Sequence, residues 1–172
     1  MKTILEKDNP ILRQTAEPVS ESEFNTAWLK ALIQKMIDII AEKGAVGIAA
    51  PQIGVSKRII VFSTNYTKRR KPEYPIPDTA LINPSLRILS QEMQIDYEGC
   101  LNCGELMGQV PRANEIEYSG FDVDGNRITK RATGLEARIL QHEIDHLNGF
   151  LFFDRIEDKD SMTTMTELQK TR

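Results

Sequence analysis

The stretch Thr133-Gly134-Leu135-Glu136-Ala137-Arg138-Ile139-Leu140-Gln141-His142-Glu143-Ile144-Asp145-His146-Leu147-Asn148-Gly149 decides the fold and most of the chemistry. Thr133 and Glu136 have the spacing of a capping box, which predicts a helix start. Asn148-Gly149 can end the helix just after Leu147. Leu135 and Ile139 share one stripe with the histidines, and Leu140, Ile144 and Leu147 cover the next sector. A helix apolar over that width is buried. His142 and His146 lie four apart, so both imidazoles reach one point on the helix face. Glu143 projects about a quarter-turn away, beside that point. The chain has only two histidines, and both fall in this HExxH pattern. Imidazoles and a carboxylate on a buried face are costly without a partner, and a divalent metal supplies one.

Elements on either side build the frame. Asn25 to Lys43 is periodic at helical spacing through Trp28/Leu29, Leu32/Ile33, Met36/Ile37 and Ile39/Ile40, and stops at Gly44. Arg58 to Ser63, Thr79 to Leu89 and Glu92 to Leu101 read as strands. Glu115 to Val123 and Asn126 to Ala132 flank Asp124-Gly125, a hairpin signal. Asn65 to Pro77 holds three prolines and no periodicity, so it reads as a loop, with Lys68-Arg69-Arg70-Lys71 as a solvated basic cluster. The polar stretch from about Glu157 is expected to be a short helix or a frayed tail. These elements predict one α+β domain over residues 1–172, with short, mostly antiparallel strands around one central helix carrying HExxH.

Composition narrows the function classes. Hydrophobic residues make up 40% and charged residues 27% of 172, enough for a buried core in a soluble domain. The net charge of −3 and the lack of a basic stripe argue against nucleic acid as a partner. No apolar run approaches ~20 residues, and Lys2, Glu6, Lys7 and Asp8 break up the start, so neither a membrane span nor a leader is expected. The expected location is the cytoplasm.

A hydrolytic site of this kind needs a third protein ligand and an open position. The histidine that extends HExxH in one peptidase class would stand at 152, where the chain has Phe152. A downstream glutamate would have to be Glu157 or Glu167, with too little chain left to support it. Cys100 and Cys103 remain, since a thiolate binds Zn²⁺ or Fe²⁺ well.

Glu98-Gly99-Cys100-Leu101-Asn102, read with the HExxH helix, makes a family resemblance specific. The sequence resembles the peptide deformylases, which carry GxGxAAxQ, EGCLS and QHExDHLxG in this order. Here these stand as Ala45-Val46-Gly47-Ile48-Ala49-Ala50-Pro51-Gln52, Glu98 to Asn102, and Gln141 to Gly149. The likeness begins at Asn9-Pro10-Ile11-Leu12-Arg13, takes in Ile82-Asn83-Pro84 and runs to Phe152. It implies a metal held by Cys100, His142 and His146, with Fe²⁺ typical and Zn²⁺ or Ni²⁺ able to substitute. It implies Glu143 as general acid–base, and Gln52 and the Leu101 backbone N–H as oxyanion donors. The substrate would be an N-formylmethionyl polypeptide, met near the ribosome and releasing formate. Val46, Gly47, Ile48 and Gly99 would lie along its backbone, and Leu135 and Ile139 would line the methionine pocket; core packing is the plain alternative for those two. Glu98 and Arg112 would pair to fix the cysteine strand.

The sequence departs from the family pattern at Ala45, Asn102, Cys103-Gly104-Glu105, Met107 and Arg138. Arg138 stands where the family tends to be apolar. These departures keep two other readings open: a small zinc peptidase, and a metal-bearing protein that binds peptide N-termini without turnover.

Overall fold

The computed structural model describes residues 4–67 and 74–170, so the basic cluster Lys68–Lys71 lies outside the described residues. Helix α1 (Ala27–Lys43) starts where the Thr26 hydroxyl accepts the Leu29 N–H at 3.2 Å and ends at Gly44, which takes a left-handed φ of 61°. It buries Leu29, Leu32, Ile33, Met36, Ile39 and Ile40. These pack on one face of a five-stranded antiparallel sheet in the order β1 (Gly47–Ala49), β2 (Ile59–Phe62), β3 (Thr79–Ile88), β6 (Glu115–Phe121), β7 (Arg127–Thr133).

The alternation along β2 divides the core into two layers. Ile59 and Val61 join the α1 cluster, whereas Ile60 and Phe62 point the other way, into a cluster with Ile139, Leu140, Ile144 and Leu147 of α2 (Gly134–Leu147). β3 changes register between Ile82 and Ser85. Asn83 sits there at φ 50°, and its side chain bonds both the N–H and the C=O of Val19.

A second sheet, β4 (Met93–Gly99), β5 (Leu106–Ala113) and β8 (Thr163–Thr164), covers another side of α2. The expected α+β class and the central HExxH helix are both present. No helix among the described residues is long and apolar enough to cross a membrane.

One expectation needs correction. The Thr133–Glu136 capping box does not form: the Thr133 side chain makes no cap bond, and Glu136 Oε1 instead accepts the Tyr118 hydroxyl at 3.2 Å. The helix is started by Gly134, whose φ of 54° turns the chain into it while its N–H bonds Asn114 C=O. Strand β5 goes beyond the sequence reading, because Gly108 and Pro111 interrupt any strand pattern in it. Of the two C-terminal alternatives the short helix forms: Thr163 and Thr164 pair with Met107 and Leu106, and α3 (Met165–Lys170) follows.

Candidate metal centre and cleft

His142 and His146 project from α2 toward Cys100, which directly follows β4. Cys100 Sγ lies 3.3 Å from His146 Nε2, and the two Nε2 atoms are 3.2 Å apart. All three ligand atoms lie within 4.8 Å of one another. A tetrahedral ion bound at 2.0–2.3 Å would hold such atoms about 3.4–3.6 Å apart, so the cluster already approaches coordination spacing.

The protonation state also suits a ligand set. Glu98 Oε2 sits 2.9 Å from His142 Nδ1. Burial disfavours the Glu98 anion, but His142 and Arg112 outweigh it and hold the carboxyl well below the usual range. An ionised Glu98 keeps a hydrogen on Nδ1 and, against burial, raises the affinity of the ring for a second proton, so Nε2 is the nitrogen turned to the cluster and would release its proton to a metal. Burial, then the charge of His142, drives His146 far down, so that ring is neutral. Cys103 and burial push the Cys100 thiol well up. A coordinated cation reverses that, since a ligating thiol loses its proton. The buried donor set of one sulfur and two imidazoles therefore fits a divalent transition metal.

Glu143 is fully buried beside this cluster. Burial first, then the Glu98 charge, lifts its carboxyl to about 7 against the pull of His142 and Arg112. Its Oε2 has no hydrogen-bond partner among the described residues. Glu143 also explains Gly47: a Cβ there would run into the Glu143 carboxylate.

The cluster opens into a cleft of about 390 Å³. Val46, just before β1, and Gly47 at its start line the cleft together with Gly99 and Leu101. Leu135 and Ile139 of α2 line it as well, as do Gln52, Cys100, His142 and Glu143. Ile48 does not line it; its side chain is buried in the α1 cluster. Gln52 is tightly placed: Oε1 accepts Ala49 N–H at 2.7 Å, and Nε2 donates to Asn102 Oδ1 at 2.6 Å and toward Cys100 Sγ at 3.2 Å. The departure at Asn102 thus fixes the Gln52 amide, and Asn102 in turn donates to Leu5 C=O.

Sequence reasoning missed three parts of the site. Met165 and Leu168 reach the cleft wall from the C-terminal segment. Asp145, inside the HExxH pattern, binds Arg112 at 2.6 Å and Arg155 at 2.6 Å. Arg138, 5% exposed, donates to Glu98. A buried arginine so near the histidines was the available signal for the last of these.

The chain matches the Polypeptide deformylase family over residues 1–162. It is 42% identical to Peptide deformylase 1 of Nitrosomonas europaea over 158 residues, which covers 92% of this chain and 89% of that protein. Peptide deformylase 1 of Bordetella pertussis is 43% identical, with 90% and 87% covered. Among solved structures, the Met-Ala-Ser-bound class I type b peptide deformylase of Acinetobacter baumannii superposes with a TM-score of 0.83 at 37% identity, covering 88% of this chain and 97% of that one. The Thermotoga maritima peptide deformylase gives 0.79 at 32%, covering 92% and 99%. A chain with this Cys–His–His cluster, this cleft and these relatives belongs to the peptide deformylase family.

Proposed function

We propose that the chain hydrolyses the N-formyl group from the initiator methionine of newly made polypeptides, releasing formate. The observation that carries this is a buried carboxylate, Glu143, that lines one cleft together with Cys100 and His142 of the Cys–His–His cluster and lies against the bare backbone of Gly47. A divalent ion on Cys100, His142 and His146, Fe²⁺ in this reading with Zn²⁺ or Ni²⁺ as substitutes, would supply Lewis acidity and ease ionisation of water.

The protein groups divide the remaining work. Glu143 takes the proton of the attacking water and returns it to the leaving nitrogen as the C–N bond of the formamide breaks. A carboxyl lifted toward neutrality suits both halves of that exchange. Gln52 Nε2 and the Leu101 N–H are the donors for the oxyanion. The Gln52 amide is held in advance by Ala49 and Asn102, and the Nε2 hydrogen that points toward Cys100 Sγ at 3.2 Å is the one the oxyanion would take. The backbone of Val46, Gly47 and Ile48 on one side and Gly99 on the other would pair with the substrate chain, as an added strand does. Leu135 and Ile139 would receive the methionine side chain. The acting compartment in this reading is the cytoplasm, near the ribosome.

The test is formate release from formyl-Met-Ala-Ser by protein loaded with Fe²⁺ without oxygen. The expected result is turnover that falls roughly 10²–10⁴-fold in Glu143→Gln with metal content unchanged. Cleavage within unformylated peptides would make the protein a peptidase. Formate no higher than in Glu143→Gln would leave an N-terminus binder without turnover.

A further inference from the structure

Arg138 stands on α2 one turn before His142, and is buried. Its Nη1 donates to Glu98 Oε1 at 2.8 Å and to Val110 C=O at 2.9 Å, and its Nη2 donates to Gln94 C=O at 2.6 Å. Gln94 belongs to β4 and Val110 to β5, so one side chain ties the histidine helix to two of the three strands of the sheet that delivers Cys100. Glu98 is thereby held from two sides. Arg112 grips it through Nε and Nη2, each at 3.0 Å, and Arg138 adds the second guanidinium. Oε2 of that carboxylate, which accepts Arg112 Nη2, is also the oxygen that meets His142 Nδ1.

We propose that Arg138 is a positioning residue for the metal centre: it fixes the Cys100 strand against α2 and, through Glu98, the rotation of the His142 ring. Arg112 cannot do this alone. It sits on β5 and divides its guanidinium between Glu98 and Asp145, whereas the Arg138 guanidinium also reaches the carbonyls of Gln94 and Val110. A guanidinium has five N–H donors in a rigid fork, and three of them are committed to these contacts. Groups that orient metal ligands typically change metal affinity 10–100-fold when removed. The inference rests on the metal site of the deformylase reading, and its primary measurement does not depend on turnover.

The experiment compares Arg138→Met and Arg138→Lys with the unaltered protein. The Kd for Zn²⁺ is measured by chelator competition, the visible spectrum is recorded on Co²⁺-loaded protein, and kcat and KM are measured with formyl-Met-Ala-Ser. Arg138→Met should raise the Zn²⁺ Kd roughly 10–100-fold. It should also alter the Co²⁺ absorption and lower kcat, while KM changes less than about twofold. Arg138→Lys keeps a charge on Glu98 and should recover part of each change; it also serves if Arg138→Met fails to fold. An unchanged Kd and Co²⁺ spectrum, with only a lowered unfolding midpoint, would reduce Arg138 to a structural tie and overturn the proposal. A raised KM at constant kcat and constant Kd would make it a substrate contact and overturn it equally. If the unaltered protein releases no formate, the deformylase reading fails, while the Kd and spectra still decide the role of Arg138.

Discussion

β2 buries all four of its side chains, Ile59 to Phe62, while β4 buries only Glu98 of its seven. Both strands pack toward α2, yet different forces hold them. The five-stranded sheet meets the helix through Ile60, Phe62, Leu81 and Ile116, an apolar contact that is strong but non-directional. The three-stranded sheet meets it through Glu98, Arg112, Arg138 and Asp145, whose hydrogen bonds are directional and charge-assisted. The first arrangement supplies a rigid platform for two histidines that share one helix. The second must bring a sulfur from another chain segment to within ångströms of them, which apolar packing alone specifies poorly. The lesson is that stability and coordination geometry are assigned to opposite sides of one helix.

Four substitutions test that division. Phe62→Ala should have the largest effect, lowering unfolding free energy by about 4 kcal/mol in a denaturant titration. Phe62 is 1% exposed and packs edge-on against Tyr118. Metal affinity should move less than about threefold; a loss as large as that of the charged-side variants would erase the contrast. Glu98→Gln should follow, at about 3 kcal/mol. That is the low end for breaking a buried ion pair, because Asp145 still holds Arg112. Unlike Phe62→Ala, it should also weaken Zn²⁺ binding by about 10–100-fold in chelator competition. Cys100→Ser should cost little unfolding free energy in the metal-free protein but weaken metal retention by more than about 100-fold, since a ligand outweighs its supports. Cys103→Ser should leave retention nearly intact. Equal losses in the two cysteine variants would mean that Cys103 shares the ligand role.

The frame was legible where local signals agree with tertiary need. The stripe from Leu29 to Ile40, the Asp124-Gly125 turn and the HExxH helix each state their own periodicity. Strand β5 was hidden because Gly108 and Pro111 spoil its pattern. The Gly108 position is dictated by Ile156, which occupies the space a side chain would need. The capping box misled for a related reason: the partner that claimed Glu136 is Tyr118, brought close only by folding. The meeting of Cys100 with His142 and His146 could be anticipated because two histidines at i and i+4 share one helix face, and the family motif points to the sulfur. Arg138 could be noticed only as out of place. Its acceptors lie on Gln94, Glu98 and Val110, and no local rule connects a helix residue to carbonyls on two distant strands.

The place of β8 ties a late segment of the described chain to the cleft. Thr163 and Thr164 pair with Met107 and Leu106, and Met165 and Leu168 just beyond them line the cleft. That part of the wall stands on a segment separate from those that carry Cys100, His142 and His146, so its shape can change while the Cys–His–His cluster keeps its own supports.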